Sequence, residues 1–216
     1  MFSDRREAGD HLAERIKELA LPHPVVLGVP RGGVVVAARV AAALAAPLDV
    51  VVPRKIRAPR NPELAIGAVG PGGEVVIDAQ AVALVGADPD YIAEESRYQG
   101  EEVRRRLALY RGKRPPIPLA GKDLIVVDDG AATGSTLQVA LRALRPSQPA
   151  SLTAAIPVAP LETLARLEQE ATRVVCLLAP SHFYAVGQFY SEFEQVSDAE
   201  VVALLQAHTT PSSDQQ

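Results

Sequence analysis

The sequence predicts an α/β fold, a mainly parallel sheet flanked by helices. Three observations carry this. Five short apolar runs, at 25–29, 48–52, 124–127, 152–158 and 174–178, are continuous rather than alternating, which suits strands buried on both faces. Helical patterns alternate with these runs, and strand–helix alternation defines a parallel sheet. The chain has 216 residues, 48% of them hydrophobic, enough for a core without covalent staples. Its single cysteine, Cys176, excludes a disulfide framework and a multi-cysteine metal site. No apolar run approaches the roughly 20 residues of a membrane helix. A net charge of −4 argues against binding nucleic acid through bulk charge. The charged N-terminus has no hydrophobic stretch behind it, so a cytoplasmic protein is expected.

The elements follow in order. Residues 4–19 place Ala8, Leu12, Ile16 and Leu19 on one helical face. The run 25–29 ends in the turn Pro30-Arg31-Gly32-Gly33. Residues 34–45 are Val and Ala nearly all round, a helix packed on more than one side. Strand 48–52 follows. Apolar stretches at 64–70 and 74–78, split by Pro71-Gly72-Gly73, form a hairpin. A charged helix runs from about Asp88 to Tyr110 and ends before Pro115, Pro116 and Pro118. Residues 57–120 interrupt the alternation and are expected to form an inserted flap. Strand 124–127 and the helix carrying Leu137, Ala140, Leu141 and Leu144 resume it. Strand 152–158 leads to Pro160 at the start of a helix, and strand 174–178 comes last. Ser197 and Glu200 form a capping box for a final helix. One domain over 1–207 with a frayed tail at 208–216 is expected.

The most informative segment is Leu124-Ile125-Val126-Val127-Asp128-Asp129-Gly130-Ala131-Ala132-Thr133-Gly134-Ser135-Thr136. A buried strand ends in two carboxylates, and a loop of small and hydroxyl residues leads into a helix. Small side chains let an anion reach backbone N–H groups, and a helix N-terminus adds roughly half a positive charge. Thr133, Ser135 and Thr136 supply hydroxyl donors. The carboxylates cannot hold phosphate, but they suit sugar hydroxyls or a divalent cation. The segment therefore asks for a ligand carrying a phosphate and a diol, such as a ribose 5-phosphate. In Gly28-Val29-Pro30-Arg31-Gly32-Gly33, Arg31 offers a planar fork to anionic oxygens, and Gly32 and Gly33 allow close backbone approach. At Val52-Pro53-Arg54-Lys55, alternation puts Arg54 and Lys55 on opposite sides. Five of the nine Phe and Tyr residues lie between 183 and 193. Arg104-Arg105-Arg106 reads as a solvated helix face or an attractor of anionic ligands.

The segment 124–136 resembles the phosphoribosyl-diphosphate signature of type I phosphoribosyltransferases: four hydrophobic residues, two acidic residues, then small residues and a Thr-Gly-x-Thr turn. The Pro30–Gly33 loop resembles the family's diphosphate loop, which often carries a non-proline cis peptide. Residues 57–63 resemble the loop that closes over the reaction. The stretch from Val186-Gly187 to Glu192-Phe193 resembles the hood of 6-oxopurine members. The chain looks closest to a bacterial group of phosphoribosyltransferases without an assigned acceptor.

The resemblance implies transfer of phosphoribosyl from 5-phosphoribosyl 1-diphosphate to a nitrogen nucleophile such as a nucleobase, with diphosphate released and Mg²⁺ as cofactor. Asp128, Asp129 and Lys55 are the implied catalytic residues. Arg31, Gly32, Gly33, Lys55, Asp128, Asp129 and residues Gly130, Ala131, Ala132, Thr133, Gly134, Ser135 and Thr136 would bind the donor. Phe183, Val186, Phe189 and Tyr190 would form the acceptor hood, and Asp128, Asp129 and Glu192 would face the metal, partly through water. A homodimer is compatible with this reading; nucleic acid and membrane are not expected partners. The 6-oxopurine enzymes carry an acidic base where this chain has Ala132, and a base-reading lysine where it has Leu178-Ala179-Pro180. Hypoxanthine and guanine are thus expected to react poorly, while adenine is not excluded. The alternative is a non-catalytic sensor of the same donor.

Overall fold

The computed structural model describes residues 1–208; the expected tail lies, from residue 209 on, outside them. Five strands form one parallel sheet: β1 (Pro24–Gly28), β2 (Leu48–Val50), β6 (Asp123–Val127), β7 (Ser151–Val158) and β8 (Arg173–Leu178), in the order β2-β1-β6-β7-β8. The sequence-predicted fold class is the observed one.

Alternation of side chains sorts the sheet into two faces. Val26, Ile125, Val127 and Ala155 pack, with Val175 and Leu177, on the side of α1 (Arg5–Lys17) and α2 (Gly32–Leu44). Val25, Leu27, Leu124, Val126, Ala154 and Ile156 pack on the side of α5 (Ser135–Leu144) and α6 (Leu161–Glu168). With helices on both faces, β6 and β7 have every residue buried, which is why their runs read as continuous. Asp4 caps α1, accepting hydrogen bonds from the N–H groups of Arg6 and Glu7. Helix α1 buries Ala8, Leu12 and Ile16, the face expected from the spacing. The edge strand β8 is only half-covered, so Cys176 is half-buried rather than deep core; its Sγ lies 3.1 Å from the Leu178 carbonyl.

The insertion is a second sheet with two helices. Strands β3 (Arg54–Ala58), β4 (Asn61–Val69) and β5 (Val75–Ile77) are antiparallel in that order. Three expectations need correction. The second core strand stops at Val50, because Val51 and Val52 lead into Pro53, which has no N–H to donate to a ladder. Lys55 therefore sits in β3, opposite Ala68, and not at the end of a core strand. Residues 57–63 are not a long loop: β3 and β4 continue to a tight turn in which Arg60 takes φ 64°. Helix α3 (Ala79–Val85) has no counterpart in the sequence reading; it is short, and none of its residues is fully buried, although Ala81, Val82 and Val85 rest partly covered against the core.

Helix α4 (Pro89–Arg111) crosses this sheet and is fastened to the parallel one by polar contacts. Arg111 pairs with the buried Asp49 of β2 at 2.9 Å. Arg114 donates to the carbonyls of Leu48 and Leu205. The Tyr110 hydroxyl donates to Asp198, the first residue of α7 (Asp198–Ala207), at 2.8 Å. Ser197 caps α7 by accepting from the N–H of Glu200, one half of the expected capping box.

Candidate active site

Parallel sheets place ligands beyond the carboxyl ends of their strands. Asp128 and Asp129 leave β6 at that edge. Asp128 is densely surrounded by protein while part of its surface stays open, and its Oδ1 accepts the N–H of Asp129 at 2.9 Å. Burial pushes the Asp128 carboxyl well above the usual carboxylate range, and the neighbouring Asp129 charge pushes it further. Asp129 has a partner: Arg5, at the start of α1, donates from Nε to Oδ2 at 2.7 Å. Both side chains are largely enclosed, with 11% and 15% exposure. The Arg5 guanidinium also lies 3.8 Å from the centre of the Phe193 ring and donates to the Glu194 carbonyl.

The loop after β6 is open where a ligand would need it. Ala132, Thr133 and Thr136 are exposed, and Ser135 starts α5, whose first-turn N–H groups have no intrahelical acceptors. The loop is fastened from behind. Ala131 donates to the Val158 carbonyl at 3.0 Å, and the buried Thr163 of α6 donates to the Ala132 carbonyl at 2.7 Å. Gly130 has φ 155°, and a Cβ there would come 2.6 Å from Val186 Cγ1, so Val186 lies directly on the loop. Thr163→Val should remove the Ala132 hydrogen bond while keeping the shape. A loss of about 1 kcal/mol is expected, read as a thermal midpoint lower by about 2–4 °C.

The Pro30–Gly33 loop packs against the acid pair. The Pro30–Arg31 peptide is cis. A Cβ on Gly32 would lie 1.9 Å from Asp129 Oδ2, so only glycine permits this approach. Arg31 is the N-cap residue of α2 and lines a cavity with Arg105, Arg106 and Tyr110 of α4. Arg54 pairs with Glu102 of α4 at 3.0 Å, leaving Lys55 on the other side of β3, as the alternation implied.

The C-terminal aromatics divide. Phe183 and Phe189 pack together, with ring centres 5.2 Å apart. Phe183 also lines a cavity of about 420 Å³ with Pro160, Leu161, Glu162, Pro180 and Ser181. Tyr190 is buried between Phe2 and Phe193, and its hydroxyl donates to the Asp129 carbonyl at 2.6 Å. Tyr184 is 90% exposed and belongs to no cluster. Glu192 is exposed; its N–H donates to the Ser3 carbonyl, and it lines a cavity with Asp4, Arg5 and Arg6. The structure thus does not join Glu192 to the aspartates in a metal cluster; among the described residues no three acidic or imidazole groups gather. Arg5 and Thr163 are the site residues that sequence reasoning missed. No local signal marks them, because each meets its partner across a long span of chain.

The chain belongs to the phosphoribosyl transferase domain family, whose model matches residues 5–194 and so includes the acid pair, the loop after it and the Pro30–Gly33 turn. The crystal structure of TT1426 from Thermus thermophilus is similar at 45% identity and a TM-score of 0.90, covering 97% of this chain and 99% of that one. A protein of Mycobacterium tuberculosis strain H37Rv with the name "Putative phosphoribosyl transferase Rv0571c" is 44% identical over 205 residues, 95% of this chain. The same match is found in strain CDC 1551 / Oshkosh. The chain spans about half the length of these curated relatives, 46%. Among the described residues, no helix is long and apolar enough to cross a membrane.

Proposed function

We propose that the protein is a phosphoribosyltransferase that transfers the phosphoribosyl group of 5-phosphoribosyl 1-diphosphate to a nitrogen nucleophile and releases diphosphate. One observation carries this reading: a largely enclosed aspartate pair sits between an open phosphate loop and a glycine turn that only glycine could bring so close. The 5-phosphate occupies the 130–136 loop at the N-terminus of α5. Burial and the Asp129 charge hold the Asp128 carboxyl above the usual carboxylate range, and its oxygens are placed to accept from a ribose hydroxyl. Arg5 holds Asp129 Oδ2 and so orients Oδ1 toward the second hydroxyl.

Breaking the C1–diphosphate bond builds positive charge on the ribose ring while the incoming nitrogen supplies the new bond. The nearby Asp129 carboxylate stabilises that charge, and the two loops fix the ring in line. The backbone of Gly32 and Gly33, with Lys55, takes the departing diphosphate. The acceptor lies under the hood beside Phe183 and Phe189, with Val186 closing the space over Gly130. The donor set suits Mg²⁺ only in part, since Asp129 is already paired. When bound, the ion would neutralise diphosphate charge and rest mainly on ligand oxygens and water, with Asp128 as its protein contact.

Calorimetry with the donor and Mg²⁺ tests the site: the wild type binds, and Asp128→Asn/Asp129→Asn does not. Equal binding by both would remove the assignment. Incubation with purines, pyrimidines and other nitrogen nucleophiles, followed by mass spectrometry, tests turnover. New nucleotides and diphosphate are expected, with hypoxanthine and guanine poor acceptors because Ala132 offers no base. Tight binding without turnover across the panel would identify a sensor instead.

A further inference from the structure

Helix α4 carries Arg104-Arg105-Arg106, and the fold brings the last two to the outer side of the Pro30–Gly33 loop. There a cavity of about 430 Å³ is lined by Pro30, Arg31, Arg105, Arg106, Leu109, Tyr110 and Asp198. No residue of the 128–136 segment lines it. Three guanidiniums therefore face one carboxylate, and that carboxylate is engaged by the Tyr110 hydroxyl.

The three arginines differ. Arg105 is committed to Glu102, with two hydrogen bonds of 3.0 Å. Arg31 and Arg106 have no carboxylate within ion-pair distance among the described residues, and both line the cavity together with Tyr110. The Nε of Arg106 is buried and has no hydrogen-bond acceptor. A buried donor without a partner is rare in a folded protein and calls for an acceptor. Two guanidinium forks without a carboxylate partner, one of them with a buried unpaired Nε, together fit a compact, multiply charged oxyanion.

We infer that the cavity between the Pro30–Gly33 loop and α4 is a binding site for a phosphoryl group, with Arg106 and Arg31 as its principal ligands. Two sources share this chemistry. The group is either the distal phosphate of the donor's diphosphate or the phosphate of a separate effector. Only the first source rests on the proposed transferase reading; the site itself does not.

The test measures binding of inorganic diphosphate, ribose 5-phosphate and 5-phosphoribosyl 1-diphosphate by calorimetry on the intact chain. The wild type is compared with Arg106→Met, Arg106→Lys and Asp128→Asn/Asp129→Asn. Thermal unfolding confirms that each variant is folded, and Arg105→Gln, at a more exposed position, serves if Arg106→Met is not. Arg106→Met should lose tenfold or more in diphosphate affinity and leave ribose 5-phosphate unchanged; Arg106→Lys should recover only part of the loss, because a point charge replaces a fork. Arg105→Gln should lose a smaller, measurable share. A parallel loss for the full donor identifies its distal phosphate as the occupant, whereas an unchanged donor affinity identifies a separate effector. Diphosphate affinity indifferent to Arg106 would overturn the site. The double aspartate variant keeps the two readings apart: failure of the transferase site shows there with ribose 5-phosphate, while Arg106 is judged with diphosphate.

Discussion

Arg5→Met should lower the unfolding free energy by about 3–5 kcal/mol, the cost of leaving a largely enclosed charge without its partner. The enclosed charge is Asp129, whose Oδ2 receives Arg5 Nε at 2.7 Å. Methionine keeps some of the packing on Phe193 but none of the donors. For a chain of this size the thermal midpoint should fall by about 2–4 °C per kcal/mol. The double variant Arg5→Met/Asp129→Asn should recover most of the loss, since the stranded charge is gone. Equal instability of the single and double variants would show that Arg5 acts through packing alone. The hydrogen bond to the Glu194 carbonyl and the contact with Phe193 would then be the stabilising contacts.

Asp128→Asn should move stability the other way. The carboxyl is held above the ordinary aspartate value of 3.8 by burial and by Asp129. Below that value both the folded and unfolded chains hold the proton, and pH has no effect through this group. Above it the unfolded chain releases the proton while the folded chain retains it. The unfolded state then binds fewer protons, and stability falls as pH rises until the folded carboxyl also ionises. Asparagine cannot ionise, and its oxygen can still accept the N–H of Asp129. The midpoint of Asp128→Asn should therefore match the wild type at acid pH, below the ordinary aspartate value, and exceed it increasingly toward neutrality. Taking the difference between the two proteins at each pH cancels the other titrating groups. A constant difference across pH would mean that Asp128 ionises in the folded chain as it does unfolded. Under the proposed function the same substitution weakens donor binding, so stability and activity oppose each other at this position.

The parallel sheet was legible because its inner strands, β6 and β7 above all, are buried on both faces and so carry nearly uninterrupted apolar runs. The candidate donor loop could be picked out because Asp128 to Thr136 is contiguous, and the fold puts it at the carboxyl end of β6. What escaped depends on contacts between distant parts of the chain. Arg5 looks like one charge among several in Arg5-Arg6-Glu7, and only the closed fold brings it to Asp129, 124 residues away. Thr163 reads as an ordinary helix residue until α6 is packed behind the Ala132 carbonyl. For Arg104–Arg106 the sequence leaves both a solvated face and an anion attractor open, because the facing wall of the cavity that Arg105 and Arg106 line, at Pro30 and Arg31, is set by strand order. Glu192 is expected near the metal by resemblance alone; in the fold its N–H donates to the Ser3 carbonyl and it lines a cavity with Arg5, the partner of Asp129.

Helix α3 has a practical use that follows from its lack of buried residues. Ala81, Val82 and Val85 rest partly covered against the core, while the opposite side of the helix is open and tolerates a label. Leu84, 83% exposed, is the natural place to attach a fluorophore or splice in a reporter peptide. Such a probe would ride on the inserted sheet, well separated in sequence from the phosphate loop, and report on ligand-induced changes there without touching the residues that bind.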